Sequence, residues 1–327
     1  MQPRDLEQYN PTDEMLKYKK NLGIGVVTVY EIEGKSYFIM GDYHNKGALT
    51  PTVGGKYDES IYTTIESAFQ RKRFGEMKFS DGQVDAKHCY YSVNDKQNQA
   101  RLTFLHKVKV DCSLEEFNEK FIRPMHQEAT HQGAVSNFFW RLDETVNPKR
   151  QMSKSKFRSV EECQKAANNA LEQITKSKFG VSDAIKEKLK NYSIEEKFWD
   201  EKELLPIKFY EDNKGRKYSE LAGCYLISLE YILSQMQSPK IMTDPHDTGK
   251  QTIYITHQKF FIFEDEVRVL MKILQELTPQ KNSSDPRIFQ PSTVQKEIEL
   301  QSPWVAEKIS FEKLNHVAKP AVLSVAR

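Results

Sequence analysis

Residues 49–76 read LTPTVGGKYDESIYTTIESAFQRKRFGE: a glycine-bearing turn, then two acids and a serine, then apolar residues at helical spacing. Ile61, Ile65, Ala68 and Phe69 fall on one face of a helix over 61–74. Asp58, Glu59 and Ser60 suit its start, where negative charge and a side-chain oxygen meet unpaired backbone N–H groups. The polar, glycine-bearing run 42–55 before it reads as loop. Strand-like segments flank the stretch, at 25–30 and 36–40 before it and at 87–92 and 101–110 after it. In the first pair, Val27, Val29 and Ile32 stop at Glu33 and Gly34, and Tyr37, Ile39 and Met40 then resume, which predicts a hairpin.

Farther along, Ser113-Leu-Glu-Glu is a capping-box pattern that opens a short helix through Phe121. The cluster 125–131, MHQEATH, reads as a solvated loop. Composition turns basic and polar over 147–156, which marks a domain boundary. Phe157, Val160, Cys163, Ala167, Ala170, Leu171 and Ile174 then lie on one helical face, and Ser182 caps a second helix with Ile185 and Leu189. A small hairpin is expected over 207–218. Ser219 opens a helix carrying Leu221, Tyr225, Leu229, Ile232 and Leu233. Residues 251–263 read as strand, 266–277 as a strong helix, and 278–303, with four prolines, as loop or extended wrap.

The chain has 327 residues, with 48 basic against 46 acidic side chains and a formal net charge of +2. That length suits two domains, each large enough to bury a core. The near balance of charge gives no whole-chain field that demands nucleic acid or an anionic membrane. Four scattered cysteines form no CxxC pair, so neither a zinc module nor a disulfide framework is indicated. No apolar run reaches the roughly 18 residues of a spanning helix. The expectation is a soluble, cytoplasmic protein, with secretion lacking a cleavable signal left open.

Residues 22–146 resemble the Nudix hydrolases in element order, in the opening GVVTVYEIEGKSYFIMGDY, in the turn from Thr50 and Pro51 to Gly54, Gly55 and Lys56, and in the late segment FFWRLDE. The resemblance implies an α/β fold, a mixed β-sheet sandwiched by helices, followed here by a mainly helical second domain with a few strands. The expected division is an extension 1–21, a Nudix-like domain 22–148, a linker 149–156, a helical domain 157–277 and a C-terminal segment 278–327. The family box runs G, five residues, E, seven residues, R-E-U-x-E-E-x-G-U, where U is a bulky aliphatic. Its helix acids hold divalent cations that polarise a diphosphate and activate water. Counted from Gly55, the first Glu falls on Ile61, the Arg on Phe69, the next Glu on Gln70 and the paired acids on Arg73 and Phe74. Sliding the helix by one residue does not restore the cluster.

Where the family places acids, this chain places Arg71, Lys72 and Arg73, which would repel Mg²⁺ but can pair with phosphate oxygens. The leading expectation is therefore a diverged Nudix-fold protein that has lost ordinary metal-dependent diphosphate hydrolysis and needs no cofactor. It would bind a nucleotide-like ligand through Gly54, Gly55, Lys56, Arg71 and Arg73, with Asp42 and His44 within reach, or bind a protein partner through the later domain. One alternative is an active hydrolase of a nucleoside diphosphate linked to another group. Mg²⁺ or Mn²⁺ would then sit on relocated acids, Asp58, Glu59 and Glu66, with Glu66, Glu76 or Glu128 as catalytic carboxylates; the resemblance offers Glu128 as general base. A third reading is an interaction module such as a bacterial secreted effector. The bland account also stands at each position: Gln70 to Arg73 as a solvated helix end, Asp58 and Glu59 as helix-start acids, and 41–47 as turn chemistry.

Overall fold

The computed structural model describes residues 1–43, 48–146, 156–178, 183–190, 221–235, 240–243, 251–255, 260–262, 264–277 and 304–316. Strand β1 (Tyr9–Asn10) precedes β2 (Leu22–Ile32) and β3 (Lys35–Tyr43), which form the expected hairpin. Its turn lies at Glu33 and Gly34, with φ of 50° and 73°. Two successive left-handed residues make a primed turn, whose twist matches that of the flanking strands.

The stretch expected as loop over 42–55 is largely strand: β4 (Ala48–Thr50) and β5 (Thr52–Lys56). β5 pairs antiparallel with the first half of β2, and β4 with the end of β3, so Pro51 stands where β2 and β3 part. The glycines that suggested a loop instead permit a close backbone approach. Gly54 lies opposite Gly25, and a methyl group on Gly54 would sit 2.3 Å from the Ile24 carbonyl oxygen. Side chains are excluded there by the neighbouring strand, which local composition does not report.

Helix α1 (Ile61–Lys72) forms as expected, with Ser60 Oγ accepting from the Thr63 N–H at 3.0 Å. Strands β6 (Gln83–Asn94) and β7 (Gln99–Val110) follow as an antiparallel pair, and β7 runs parallel to β2 from Leu22 to Ile32. Ser113 caps the turn Leu114–Phe117, which continues through a π-helical segment, Asn118–Ile122, into α2 (Arg123–Val146). The 125–131 cluster is therefore helix, not loop. Its Met125 and Ala129 are buried at helical spacing, and they hold this face against the core.

Ser159 caps α3 (Val160–Thr175), and α4 (Asp183–Lys190) follows; the expected Ser182 cap, the 207–218 hairpin and the 278–303 wrap lie outside the described residues. The helix expected from Ser219 is instead strand β8 (Leu221–Ser228), followed by α5 (Leu229–Gln235). Antiparallel pairing with β3, from Tyr37 opposite Ser228 to Tyr43 opposite Leu221, overrides the helical spacing. Strands β9 (Lys240–Thr243), β10 (Gln251–Ile255) and β11 (Phe260–Ile262) come next, then α6 (Glu264–Leu277), β12 (Val305–Ile309) and β13 (Asn315–His316).

The chain is mixed helix and sheet. Its main sheet runs β12-β6-β7-β2-β3-β4-β11-β10-β9, with β5 against β2 and β8 against β3, and β1 pairs with β13 apart from it. β8 and β12 lie beyond the expected linker, yet both are hydrogen-bonded to strands of the 22–146 region. One sheet face packs Ile24, Val26, Ile39 and Val53 against Ile65, Ala68 and Phe69 of α1. The opposite face packs Val27, Val29, Phe38 and Met40 against Val269, Leu270, Ile273 and Leu274 of α6. Each such side chain contributes on the order of 2 kcal/mol when removed from water. A third core joins α2 to α3 through Val135, Phe138, Leu142, Phe157 and Cys163.

Candidate ligand-binding face

The end of β5 lies against one side of α1, between Thr64 in its first half and Arg71 in its last turn. A methyl group on Gly55 would meet Arg71 Nη2 and Thr64 Cγ2, each at 3.8 Å. The Arg71 guanidinium thus lies over the strand, and its Nε is 3.4 Å from the Ser67 carbonyl oxygen. Lys56 is exposed at the end of the same strand. Of the expected ligand-binding residues, Gly55 and Arg71 are neighbours here, while Lys56, the next residue along the strand, belongs to the alternate face. Gly54 lies in the β2 ladder beside them, packed against Gly25 rather than free in a loop.

Arg73 goes elsewhere. It is 1% exposed, and its Nη2 donates to the Ile39 carbonyl at 3.2 Å, where β2 and β3 diverge. Its guanidinium lies over the Phe69 ring at 5.7 Å. Nearby, burial pushes the Tyr30 hydroxyl pKa up, and the Arg73 charge partly offsets this. The expectation that Arg71 and Arg73 share a ligand meets helix geometry: residues two apart point to opposite sides. The spacing alone carried that signal. The helix ends just after, with Phe74 at φ 53° and Gly75 at φ 70°, and the Gly75 N–H reaches the Gln70 carbonyl at 3.0 Å.

The acids disperse. Asp58 and Glu59 are exposed ahead of the helix. Glu66 Oε1 accepts weakly from Gln70 Nε2 at 3.5 Å, and Glu76 sits in the turn after Gly75. Among the described residues no group of three or more His, Cys, Asp or Glu side chains is placed to hold a metal ion. Glu128, expected on a loop as a general base, is on α2 and 4% exposed. Its carboxylate accepts from Gln132 Nε2 at 2.6 Å, from the Lys178 N–H at 2.9 Å and from the Ser177 hydroxyl. Three donors commit those oxygens to joining α2 with the end of α3.

Asp42 is half-buried on β3, opposite Leu49 on one side and Gly223 on the other. Its negative charge helps raise the Tyr225 hydroxyl and Cys224 thiol pKa values, mainly raised by burial, the latter to about 11. His44 lies outside the described residues. His126 is spent on architecture: its Nδ1 is 3.2 Å from the Cys224 carbonyl oxygen, at the edge of β8.

One polar centre escaped the sequence reading. Glu266 of α6 is buried, with Oε2 accepting from the Thr50 hydroxyl at 2.6 Å and Oε1 from Arg101 Nη1 at 2.9 Å. Arg101 lies opposite Gly23 on the strand that also carries Gly25. These three residues fix α6 to the corner between β4 and β5. No local pattern links them, because they come from three separate elements.

No family model matches the chain, and no curated protein matches it. Among solved structures, the chain is similar to the Ap4A hydrolase of C. elegans, at 14% identity over 30% of this chain and 84% of that one. The TM-score of 0.23 makes that likeness too slight to build on.

Proposed function

We propose that residues 22–148 form a diverged Nudix-like unit whose corner at Gly55, Lys56 and Arg71 binds a nucleotide-like anion directly, without ordinary metal-dependent diphosphate hydrolysis. A later, mainly helical part over 157–277 contributes β8 to its sheet and packs α6 on one sheet face. The observation that carries the reading is the Arg71 guanidinium over Gly55, with Lys56 the exposed next residue of the strand. The missing side chain at Gly55 leaves room for phosphate oxygens to approach the guanidinium, and a planar fork pairs with such oxygens in two-point fashion. The nearby acids, Asp58, Glu59, Glu66 and Glu76, are spread along the helix and its flanks rather than gathered on one face.

Binding of this kind is exposed to solvent and falls with salt. The test is thermal stabilisation and calorimetry with ADP-ribose, dinucleoside polyphosphates and NADH, in chelator, at low and moderate ionic strength. Metal-free binding that is lost in Lys56→Glu/Arg71→Glu is the expected result. Mg²⁺- or Mn²⁺-dependent release of phosphate or nucleoside monophosphate would instead establish the hydrolase reading. No response from any of these ligands would favour an interaction module.

A further inference from the structure

Strand β5 has one paired edge and one open edge. Its partner is β2, and among the described residues no strand pairs with its other side. The Tyr57 N–H donates to the Leu22 carbonyl at 2.8 Å, one step beyond the pairing of Lys56 with Gly23. Antiparallel pairs alternate between bonded and non-bonded. Val53 and Gly55 therefore turn their backbone groups toward β2, while Thr52, Gly54 and Lys56 turn theirs outward.

The outward groups differ in what they meet. Thr50 Oγ1 takes the place of a strand partner at Thr52: it accepts the Thr52 N–H at 3.1 Å and lies 3.3 Å from the Thr52 carbonyl oxygen. Among the described residues, the outward backbone groups of Gly54 and Lys56 form no such bond. Gly54 and Gly55 put no side chain in the way, and neither a proline nor a bulge blunts the edge over 52–56.

Charge narrows what can dock there. The Arg71 guanidinium lies over Gly55 on the α1 side of the sheet, and Lys56, the next residue, belongs to the other side. Lys56 is exposed, Arg71 Nε faces only the Ser67 carbonyl, and among the described residues neither cation has a carboxylate partner. A chain laid along the edge alternates its own side chains between the same two faces. Its residues opposite Gly55 and Lys56 thus meet Arg71 on one face and Lys56 on the other. Two neighbouring acids complement both cations, whereas like charges across strands repel.

We infer that the open edge of β5 takes up an extended segment of a partner protein that carries two consecutive acidic residues, by strand addition at Gly54 and Lys56. The inference shares Arg71 and Lys56 with the anion-binding reading but depends on the backbone edge, so either can fail alone.

The probe is the peptide acetyl-Thr-Val-Glu-Glu-Val-Thr-amide, added in excess to the full chain. A Lys-Lys version and a version N-methylated on both glutamates are its controls. Hydrogen exchange at the Gly54 and Lys56 amides is expected to slow with the Glu-Glu peptide and to stay unchanged with either control. Lys56→Gln and Arg71→Gln should each weaken peptide binding by up to about fivefold, the reach of one opposite-charge cross-strand pair. Calorimetry with ADP-ribose on the same samples reports separately on the anion-binding reading. Unchanged exchange at both amides, or equal binding of the Glu-Glu and Lys-Lys peptides, overturns the inference. Binding that survives N-methylation also overturns it, and marks the peptide as a general anion drawn to the cations.

Discussion

Arg73 donates through Nη2 to the backbone carbonyl of Ile39, 3.2 Å away, and so bridges the end of α1 to β3 where the sheet divides. A guanidinium taken out of water is costly unless its donors find acceptors. Here it gains a carbonyl whose strand has parted from β2, together with the face of Phe69. Arg73→Ala is expected to destabilise the fold by about 2–4 kcal/mol, from a stranded carbonyl and a cavity. Arg73→Met, which fills the volume and removes the charge, should cost less. Urea titration separates the two, and equal losses would refute the packing contribution.

The pairing of Gly25 with Gly54 makes a second expectation. Gly54→Ala places a carbon 2.3 Å from the Ile24 carbonyl oxygen, backbone against backbone, so the strands must separate. A loss of roughly 1–3 kcal/mol follows, as for other overpacked sites. Gly55→Ala meets only side-chain atoms at 3.8 Å and should stay within about 0.5 kcal/mol of wild type. Comparable losses at both positions would contradict the strand register.

His106 is fully buried, with Nδ1 3.2 Å from Thr28 Oγ1 and its ring beside Phe79. Burial, with some help from the Arg73 charge, lowers its pKa to about 4. In the unfolded chain an imidazole titrates near 6.5. Above about pH 6.5 both states are neutral and nothing is lost. Between about 6.5 and 4 the unfolded state takes up a proton that the folded state refuses, so stability falls with pH by on the order of 3 kcal/mol. His106→Gln should flatten that slope in denaturation measured from pH 7 to 4.5. A slope unchanged by the substitution would place its origin elsewhere. Asp85 acts in a lower window: hydrogen bonds from Lys107 and His88 outweigh desolvation and depress its pKa, so its contribution is lost only as the pH falls below the usual carboxylate range.

Glu266, Thr50 and Arg101 are expected to behave as one unit. Removing Arg101 strands a buried carboxylate, whereas removing both Arg101 and Glu266 does not. A double-mutant cycle with Arg101→Met and Glu266→Met should give a coupling of about 1–3 kcal/mol. Additive losses would mean that α6 is held by its apolar face alone.

Several elements were legible because their signals are local. Glu33 and Gly34 adopt left-handed conformations at a turn bounded by alternating apolar residues. Ser60 and Ser113 each accept an N–H from three residues onward at a helix start. The α1 and α6 apolar faces follow the helical period into the two sides of one sheet. Illegible elements had signals that point the wrong way in isolation. Glycines suggested a loop where β5 needs bare backbone, and Leu221 and Tyr225 showed helical spacing where β3 offered a strand edge. The candidate site divided in the same manner: Arg71 stayed with Gly55, while Arg73 and Glu128 turned inward to partners that are distant in sequence.

The amino-acid sequence by itself determined the caps at Ser60 and Ser113, the hairpin turn, the period of the amphipathic helices α1, α3 and α6, and the run of cations from Arg71 to Arg73 at the end of α1. Those properties depend on residues within a few positions of one another. The tertiary structure alone decided which arginine faces outward, that Glu128 is bound by three donors, and that Thr50 and Arg101 meet Glu266 across 216 and 165 residues. Burial and strand pairing settle such partnerships, because a polar group leaving water takes whichever partner the packed elements bring to it.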